Sequence, residues 1–211
     1  SPPRSDSRLV EFLRITPWAR RSLTVLPVIF LLASVGFLGY PAFTNLWQEH
    51  LQGVLTQELK NPSLKGMYLD NQVPDGSALT RIIIPKIGVN VVVVQGTSET
   101  DLMAGAGHYI GTPLPCELGD VAVAGHRTTY GRPFYNLNLL TPGDLIEFET
   151  PAGTCSYRVS QAPFLVLPSD VGVVNPTPGV GTLTLTSCAP RYSASHRIVV
   201  KAVLQGKPLA S

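Results

Sequence analysis

Charge is what this sequence has least of. Between Arg21 and Glu49 it carries no Asp, Glu, Lys or Arg. The apolar run inside that gap, residues 23–43, spans roughly 31 Å as a helix at ~1.5 Å per residue. A bilayer's hydrocarbon core is ~30 Å thick. Pro27, Gly36, Gly39 and Pro41 are tolerable in such a helix. No A-x-A-type site follows the run, which argues against a cleaved signal peptide and for an uncleaved signal anchor. The formal net charge is only +2, and Arg4, Arg8, Arg14, Arg20 and Arg21 against Asp6 and Glu11 account for more than that. The rest is close to neutral, so nothing points to a nucleic-acid-binding surface and no nucleic-acid partner is expected. The basic cluster precedes the span, so the positive-inside rule places residues 1–22 in the cytoplasm and everything after residue 43 outside.

Metal-binding patterns are also missing. The four histidines, His50, His108, His126 and His196, form no pair at ligand spacing, and no Asp/Glu cluster suits calcium. No metal and no cofactor is expected. Internal repeats are absent as well. There are three cysteines, which suits an exported protein with one free thiol. Cys116 and Cys155 form a disulfide or remain two thiols; the sequence leaves both open. If bridged, their loop of about 40 residues stabilises by roughly 4 kcal/mol in the chain-entropy model.

What is present is β-structure. Nineteen prolines and nineteen glycines punctuate short runs of strand-forming residues. Strands are expected at 79–85, 89–95, 119–125, 144–150, 154–161, 181–188 and 197–204, with 164–167 as a short additional run. A turn at Ile87-Gly88 and a hairpin at Ala152-Gly153 separate two of the pairs. Residues 98–104 read as a short helix capped by Ser98. Trp47, Leu51, Leu55 and Leu59 predict an amphipathic helix over 45–60, ended by Asn61-Pro62, and 61–78 reads as a linker. The expected domains are a basic tail (1–22), an anchor (23–43), a juxtamembrane helix and linker (44–78), a β-barrel (79–206) and a tail (207–211). Seven or eight short strands with little helix suggest a closed or nearly closed barrel. The long Pro/Gly/Val-rich connection 170–181 reads as a wall of a substrate groove.

Two stretches carry chemistry. In TLTLTSCAPRYSASHR, alternation turns Leu183 and Leu185 one way and Thr182, Thr184, Thr186 and Cys188 the other. Ala189-Pro190 stops the strand, so the thiol sits at a strand end on a polar face, with Arg197 nine residues on. A buried core cysteine is the alternative. In GDVAVAGHRTTYGRPF, Val121 and Val123 face a core while Ala122, Ala124 and His126 share the other face. A cysteine and a histidine 62 positions apart, each ending an apolar strand, can meet as a nucleophile and its proton partner. Arg197 stays charged at any working pH and offers five donors. Arg191, just after Pro190, is its rival. His108, in GAGHY, reads as a structural histidine, His196 as a loop residue, and His50 lies in the juxtamembrane helix.

These motifs, Gly-His126-Arg, Thr184-Leu185-Thr186-Ser187-Cys188 and Arg197 at the start of the last strand, together with IIIPKIGVNVVVV, resemble the sortase family over residues 79–205. Ser187 stands where that family usually has threonine. The resemblance implies an eight-stranded barrel and a cysteine transpeptidase with His126, Cys188 and Arg197 catalytic and Thr186 and Ser187 at the substrate. It implies cleavage of an LPXTG- or LAXTG-type sorting signal between Thr and Gly through a Cys thioester. The acyl group passes to an amine of a lipid-linked peptidoglycan precursor. The partners are then secreted proteins with C-terminal sorting signals, and the membrane. HRTTYGRPF and the N-terminal anchor look most like the actinobacterial housekeeping, class E-like sortases. Pilin-polymerising members often carry a second hydrophobic segment at the C-terminus, whereas this sequence ends QGKPLAS. An L,D-transpeptidase would place Gly before its cysteine, which Cys188 lacks, and a non-catalytic barrel module would leave Cys188 inert.

Overall fold

The computed structural model of the chain describes residues 11, 15–175 and 179–209. Most of the basic tail and the middle of the 170–181 connection lie outside these. The chain divides into two units, Ser1–Phe43 and Thr44–Ser211. Helix α1, Pro17–Glu58, begins in the first and ends in the second. Its apolar portion is long and hydrophobic enough to cross a membrane, by length and composition, and none of it is buried within the protein. Leu31, Phe37 and Leu38 lie exposed. The hydroxyls of Ser22 and Ser34 donate back to the carbonyls of Trp18 and Phe30 at 2.7 Å, which satisfies them inside the helix's own backbone.

In the second unit helix α2, Ser63–Leu69, precedes nine strands: β1 Ala78–Ile84, β2 Val89–Gln95, β3 Ala106–His108, β4 Gly119–Ala124, β5 Leu145–Thr150, β6 Gly153–Val159, β7 Phe164–Val166, β8 Gly181–Ala189 and β9 His196–Gln205. The order β6-β5-β1-β2-β3-β4-β8-β9 closes on itself through a β6–β9 pairing, giving an eight-stranded barrel, and β7 adds to the first half of β9. Two neighbours are parallel, β2–β3 and β4–β8. The expected strands form. β3 was not foreseen, because three residues are too short to show alternation. Helix α3, Glu99–Ala104, carries a full capping box between Ser98 and Asp101. The barrel is filled by Ile82, Val93, Val121, Val123, Phe134, Phe148, Tyr157, Leu183, Leu185 and Val200, all wholly buried. The hairpin turn between β5 and β6 is Pro151-Ala152, since Thr150 pairs with Gly153, one residue earlier than expected.

Residues 44–78 pack on the barrel. β3 reaches back only to Val93 on β2, and the Gln52 amide takes over where it stops. Gln52 Oε1 accepts from the Val92 N–H at 2.7 Å, and Nε2 donates to the carbonyls of Val92 and Ala104 at 3.1 and 2.8 Å. A Cβ on Gly105 would come within 2.4 Å of that nitrogen, so only glycine admits the side chain. Leu55 packs with Ala78, Val92 and Val94. The stretch read as a linker instead buries Leu64, Tyr68 and Val73 against Leu79 and Leu114, and the Tyr68 hydroxyl donates to the Pro115 carbonyl at 2.7 Å.

Cys116 and Cys155 are bridged, tying the segment ahead of β4 to β6. Replacing both by alanine is expected to lower unfolding free energy by roughly 4 kcal/mol, by the loop they close; urea titration of oxidised and variant protein measures it. A chain shortened to begin at Thr44 is expected to melt as one cooperative unit. One beginning at Ser77, without Gln52, Leu55, Leu64 and Tyr68, is expected to melt at least several degrees lower. Equal melting temperatures would show that 44–76 adds nothing to the barrel.

Candidate active site

Strand β8 lies between β4, parallel, and β9, antiparallel. Ala124 is level with Thr186, Thr186 with Val199, and Cys188 with Arg197. Residues of one parity, Leu183, Leu185 and Ala189, join the core. The other parity puts Cys188 and Arg197 side by side on the outer face, both half-buried. Cys188 is the free cysteine. Thr186, on the same face, shares a 3.0 Å hydrogen bond with the Tyr109 hydroxyl. Ser187, expected at the substrate, has the opposite parity. It is buried, and its hydroxyl donates to the Gly125 carbonyl at 2.7 Å. Its role is to join the ends of β4 and β8, because alternation cannot turn it outward together with Cys188.

That junction brings His126 toward the thiol end of β8. Gly125 N–H donates to the Thr186 carbonyl at 3.1 Å, one step beyond the β4–β8 ladder. A Cβ at Gly125 would strike the Phe134 ring at 2.6 Å, which explains a glycine before the histidine. The His126 ring meets Tyr130 at 5.2 Å between centroids. Its Nε2 is buried and, among the described residues, has no hydrogen-bond partner. Burial lowers the His126 pKa from 6.5, and the Glu99 carboxylate acts in the other direction. His108 differs: it is buried, Nδ1 meets Gln95 Oε1 and Nε2 meets the Pro113 carbonyl, each at 2.9 Å. Both nitrogens are engaged away from Cys188.

The two candidate cations are held differently. Arg197 Nη1 donates to the carbonyls of Ala194 and His196, each at 3.2 Å, bracing the turn between β8 and β9. Arg191 is exposed and lies over the Tyr135 ring at 3.9 Å. A third arginine, Arg127, directly follows His126 in the Gly-His-Arg motif, and nothing in the local sequence marks it as functional. It is buried, with Nη2 donating to Asn138 Oδ1 at 2.7 Å. His196 opens β9 opposite Ala189 rather than lying in the loop. Among the described residues no group of three His, Cys, Asp or Glu could hold a metal ion.

Further along the same face lies a charge pair. The Asp120 side chain is wholly buried, and Lys201 Nζ meets its Oδ2 at 2.9 Å. The carboxylate also accepts from Thr182 and Thr184 at 2.8 and 2.7 Å. Lys201 further donates to Thr184 Oγ1 at 2.6 Å and to the Val173 carbonyl. This fastens the 3₁₀ turn Val171–Val174 to the sheet at Thr184, two pleats from Cys188, or ~13 Å along the strand. The threonine alternation marked the face, but Asp120 and Lys201 meet only through the β4–β8–β9 pairing.

A free thiol level with an arginine, beside a strand end that delivers a histidine, on a closed barrel, is the kind of arrangement that thiol acyl transfer requires. The sortase domain family matches residues 82–205, and the chain belongs to the sortase family, whose members are cysteine transpeptidases. It is 29% identical over 190 residues to sortase SrtE1 of Streptomyces coelicolor, covering 82% of this chain and 54% of that protein. It is 30% identical over 115 residues to sortase D of Bacillus subtilis, covering 54% of this chain and 56% of that one. The chain thus spans about half the length of the curated relatives it matches. Among solved structures, a Clostridium perfringens sortase D5 transpeptidase matches with a TM-score of 0.66 at 29% identity, over 75% of this chain and 98% of that one. Sortase E from Streptomyces avermitilis matches with a TM-score of 0.58 at 35% identity, over 64% and 93%.

Because the folded-state pKa values of His126 and His108 lie below the free value, protonating them opposes folding. The stability is complete above about pH 6.5 and is lost as pH falls through the lowered values. Imidazole resonances of both are expected to titrate below 6.5, and His126→Gln should flatten part of the acid side of the stability curve. A His126 midpoint above 6.5 would show that Glu99 outweighs burial.

Proposed function

We propose that this protein is a membrane-anchored transpeptidase that cleaves a sorting signal of the LPXTG or LAXTG type between Thr and Gly and joins the released carbonyl to an amine of a lipid-linked peptidoglycan precursor. The observation that carries the reading is the level pairing of Cys188 with Arg197 beside the β4 end that holds His126. The kinship with class E sortases supports it. The Cys188 thiolate attacks the Thr carbonyl, and the tetrahedral intermediate collapses as the C–N bond breaks, leaving a thioester. His126 takes the Cys188 thiol proton as the thiolate forms and gives it to the departing glycine amine. It then accepts one from the incoming amine as the new C–N bond forms and the C–S bond breaks. Water in place of the amine gives hydrolysis, an endopeptidase side reaction.

Arg197, braced by Nη1, keeps its other guanidinium donors for the oxyanion or the substrate backbone. Thr186 lines the floor beside the thiol. The turn fastened by Lys201 walls the groove about four extended residues away, a length that suits the signal's residues ahead of the scissile bond. The apolar helix anchors the enzyme with residues 1–22 in the cytoplasm and the barrel outside, where secreted substrates emerge.

Incubated with an LAXTG peptide, wild-type enzyme is expected to gain the mass of the acylated Cys188, and Cys188→Ala to gain none. Arg197→Lys should lose at least tenfold in kcat/KM, since a point cation cannot reproduce the planar fork. Arg191→Lys should cleave the peptide nearly as well as wild type. Acyl-enzyme on Cys188→Ala, or a swap of the two arginine results, would overturn the assignment.

A further inference from the structure

Three arginines, Arg127, Arg132 and Arg191, gather around Tyr135 and Asn138, and among the described residues no ion pair joins any of them to a carboxylate. The guanidinium carbons of Arg191 and Arg132 lie 3.9 and 4.9 Å from the centre of the Tyr135 ring. Arg127 Nη2 and Arg191 Nη2 both donate to one acceptor, Asn138 Oδ1, at 2.7 and 3.3 Å. Arg191 Nη2 also reaches the Tyr135 carbonyl and Asn136 Oδ1 at 3.4 and 3.3 Å. One neutral oxygen thus holds two cations within roughly 6 Å of each other, a separation at which they repel. Among the described residues the ion pairs involve Arg81, Lys86 and Lys201, and none reaches this cluster.

Arg127 is only 6% exposed. Its Nε and Nη1 are buried without a partner among the described residues. Burial lowers its pKa, the Arg191 charge lowers it further, and Tyr135 and Cys188 act in the opposite sense, which places the thiol within its field. Native proteins seldom leave buried charged donors unpaired, and a guanidinium fork fits a carboxylate in two parallel bonds.

The chemistry of the second half-reaction says what such a site is for. An amine acceptor reaches the thioester mostly as an ammonium ion, and a bare ammonium is repelled by Arg127, Arg132 and Arg191. An amine that carries a carboxylate is attracted through that group instead. Resting on the transpeptidase reading above, we propose that Arg127, Arg132 and Arg191 form a subsite for a carboxylate borne by the acyl acceptor, so that the preferred acceptor is an amino acid or peptide with a free carboxylate near its amine. The carboxylate takes no part in bond making: the ammonium first gives one proton to solvent, the neutral nitrogen bonds to the acyl carbon, its second proton passes to His126, and the Cys188 sulfur departs as the C–S bond breaks.

The test uses the full chain in detergent with an LAXTG peptide donor, comparing glycylglycine with glycylglycinamide, whose amines are alike. Before any amine is added, mass spectrometry of the Cys188 thioester checks the transpeptidase reading by itself; no thioester would sink that reading and this one together. With thioester present, wild type is expected to show a KM for glycylglycine roughly tenfold below that for glycylglycinamide, the size of one charge-assisted pair. The Arg132→Gln/Arg191→Gln pair should bring the two KM values together while thioester formation and amine-free hydrolysis stay unchanged. Arg127→Lys, which keeps charge and loses the fork, should also narrow the gap. Acetate should raise the KM of glycylglycine alone. Equal KM values in wild type, or a gap that survives the double substitution, overturns the proposal. So does a cluster that inorganic phosphate occupies while the acceptor's carboxylate makes no difference.

Discussion

The hydrogen-bond register of strand β8 is the constraint on which the site depends. β8 is paired on both edges, parallel to β4 and antiparallel to β9, and both pairings are needed to bring three distant segments together. A slip of one residue would turn Cys188 into the barrel and Ser187 out of it. The core opposes such a slip: Leu183 and Leu185 are wholly buried on one face, and exposing each would forfeit about 2 kcal/mol. The Ser187 hydroxyl on the Gly125 carbonyl closes the arrangement just where the histidine leaves β4.

Charge is arranged on the outer face of these strands in two opposite ways. At one end Lys201 and Asp120 neutralise each other, and two threonine hydroxyls complete the shell of the carboxylate. A buried pair so satisfied is a rigid fastening point more than a source of net stability. At the thiol end Arg132 and Arg191 share the Tyr135 ring, Arg127 and Arg191 share the Asn138 amide oxygen, and among the described residues none of the three has an ion pair with an acid. The first arrangement holds a wall still. The second leaves a net positive field that a negative group brought from outside would balance.

Around the site the barrel borrows from its flanks. β3 is so short that part of the β2 edge would be unpaired, and Gln52, from the end of α1, supplies an amide in its place. The same helix contributes Leu55, α2 contributes Leu64 and Tyr68, and the Cys116–Cys155 bridge spans from β6 to the segment before β4. The segment between the apolar run and the first strand is therefore part of the folded unit beginning at Thr44.

Much of this could be read from the chain, because it rests on local periodicity. The uncharged run before Glu49, the alternation that puts Cys188 with the threonines and opposite the leucines, the Gly-His strand end and the helix cap at Ser98 depend on neighbours in sequence. The features that escaped reading depend on neighbours in space. Ser187 resembled Thr186 in its motif, yet pleating points it inward. Residues 61–78 had the prolines and glycines of a linker, yet Leu64 and Tyr68 find an apolar surface on β1 and the segment before β4. Asp120 and Lys201 are 81 positions apart and meet only once β4, β8 and β9 are in register. Arg127 is marked by nothing in its local sequence, and only the fold buries it, with no ion pair among the described residues. The sequence by itself determined which residues face together along each strand, since the strand period is a property of the local backbone. Which faces meet, which cysteines join and which charges are left unbalanced was decided by the tertiary structure alone, since each depends on partners that only the closed barrel brings within a few ångströms.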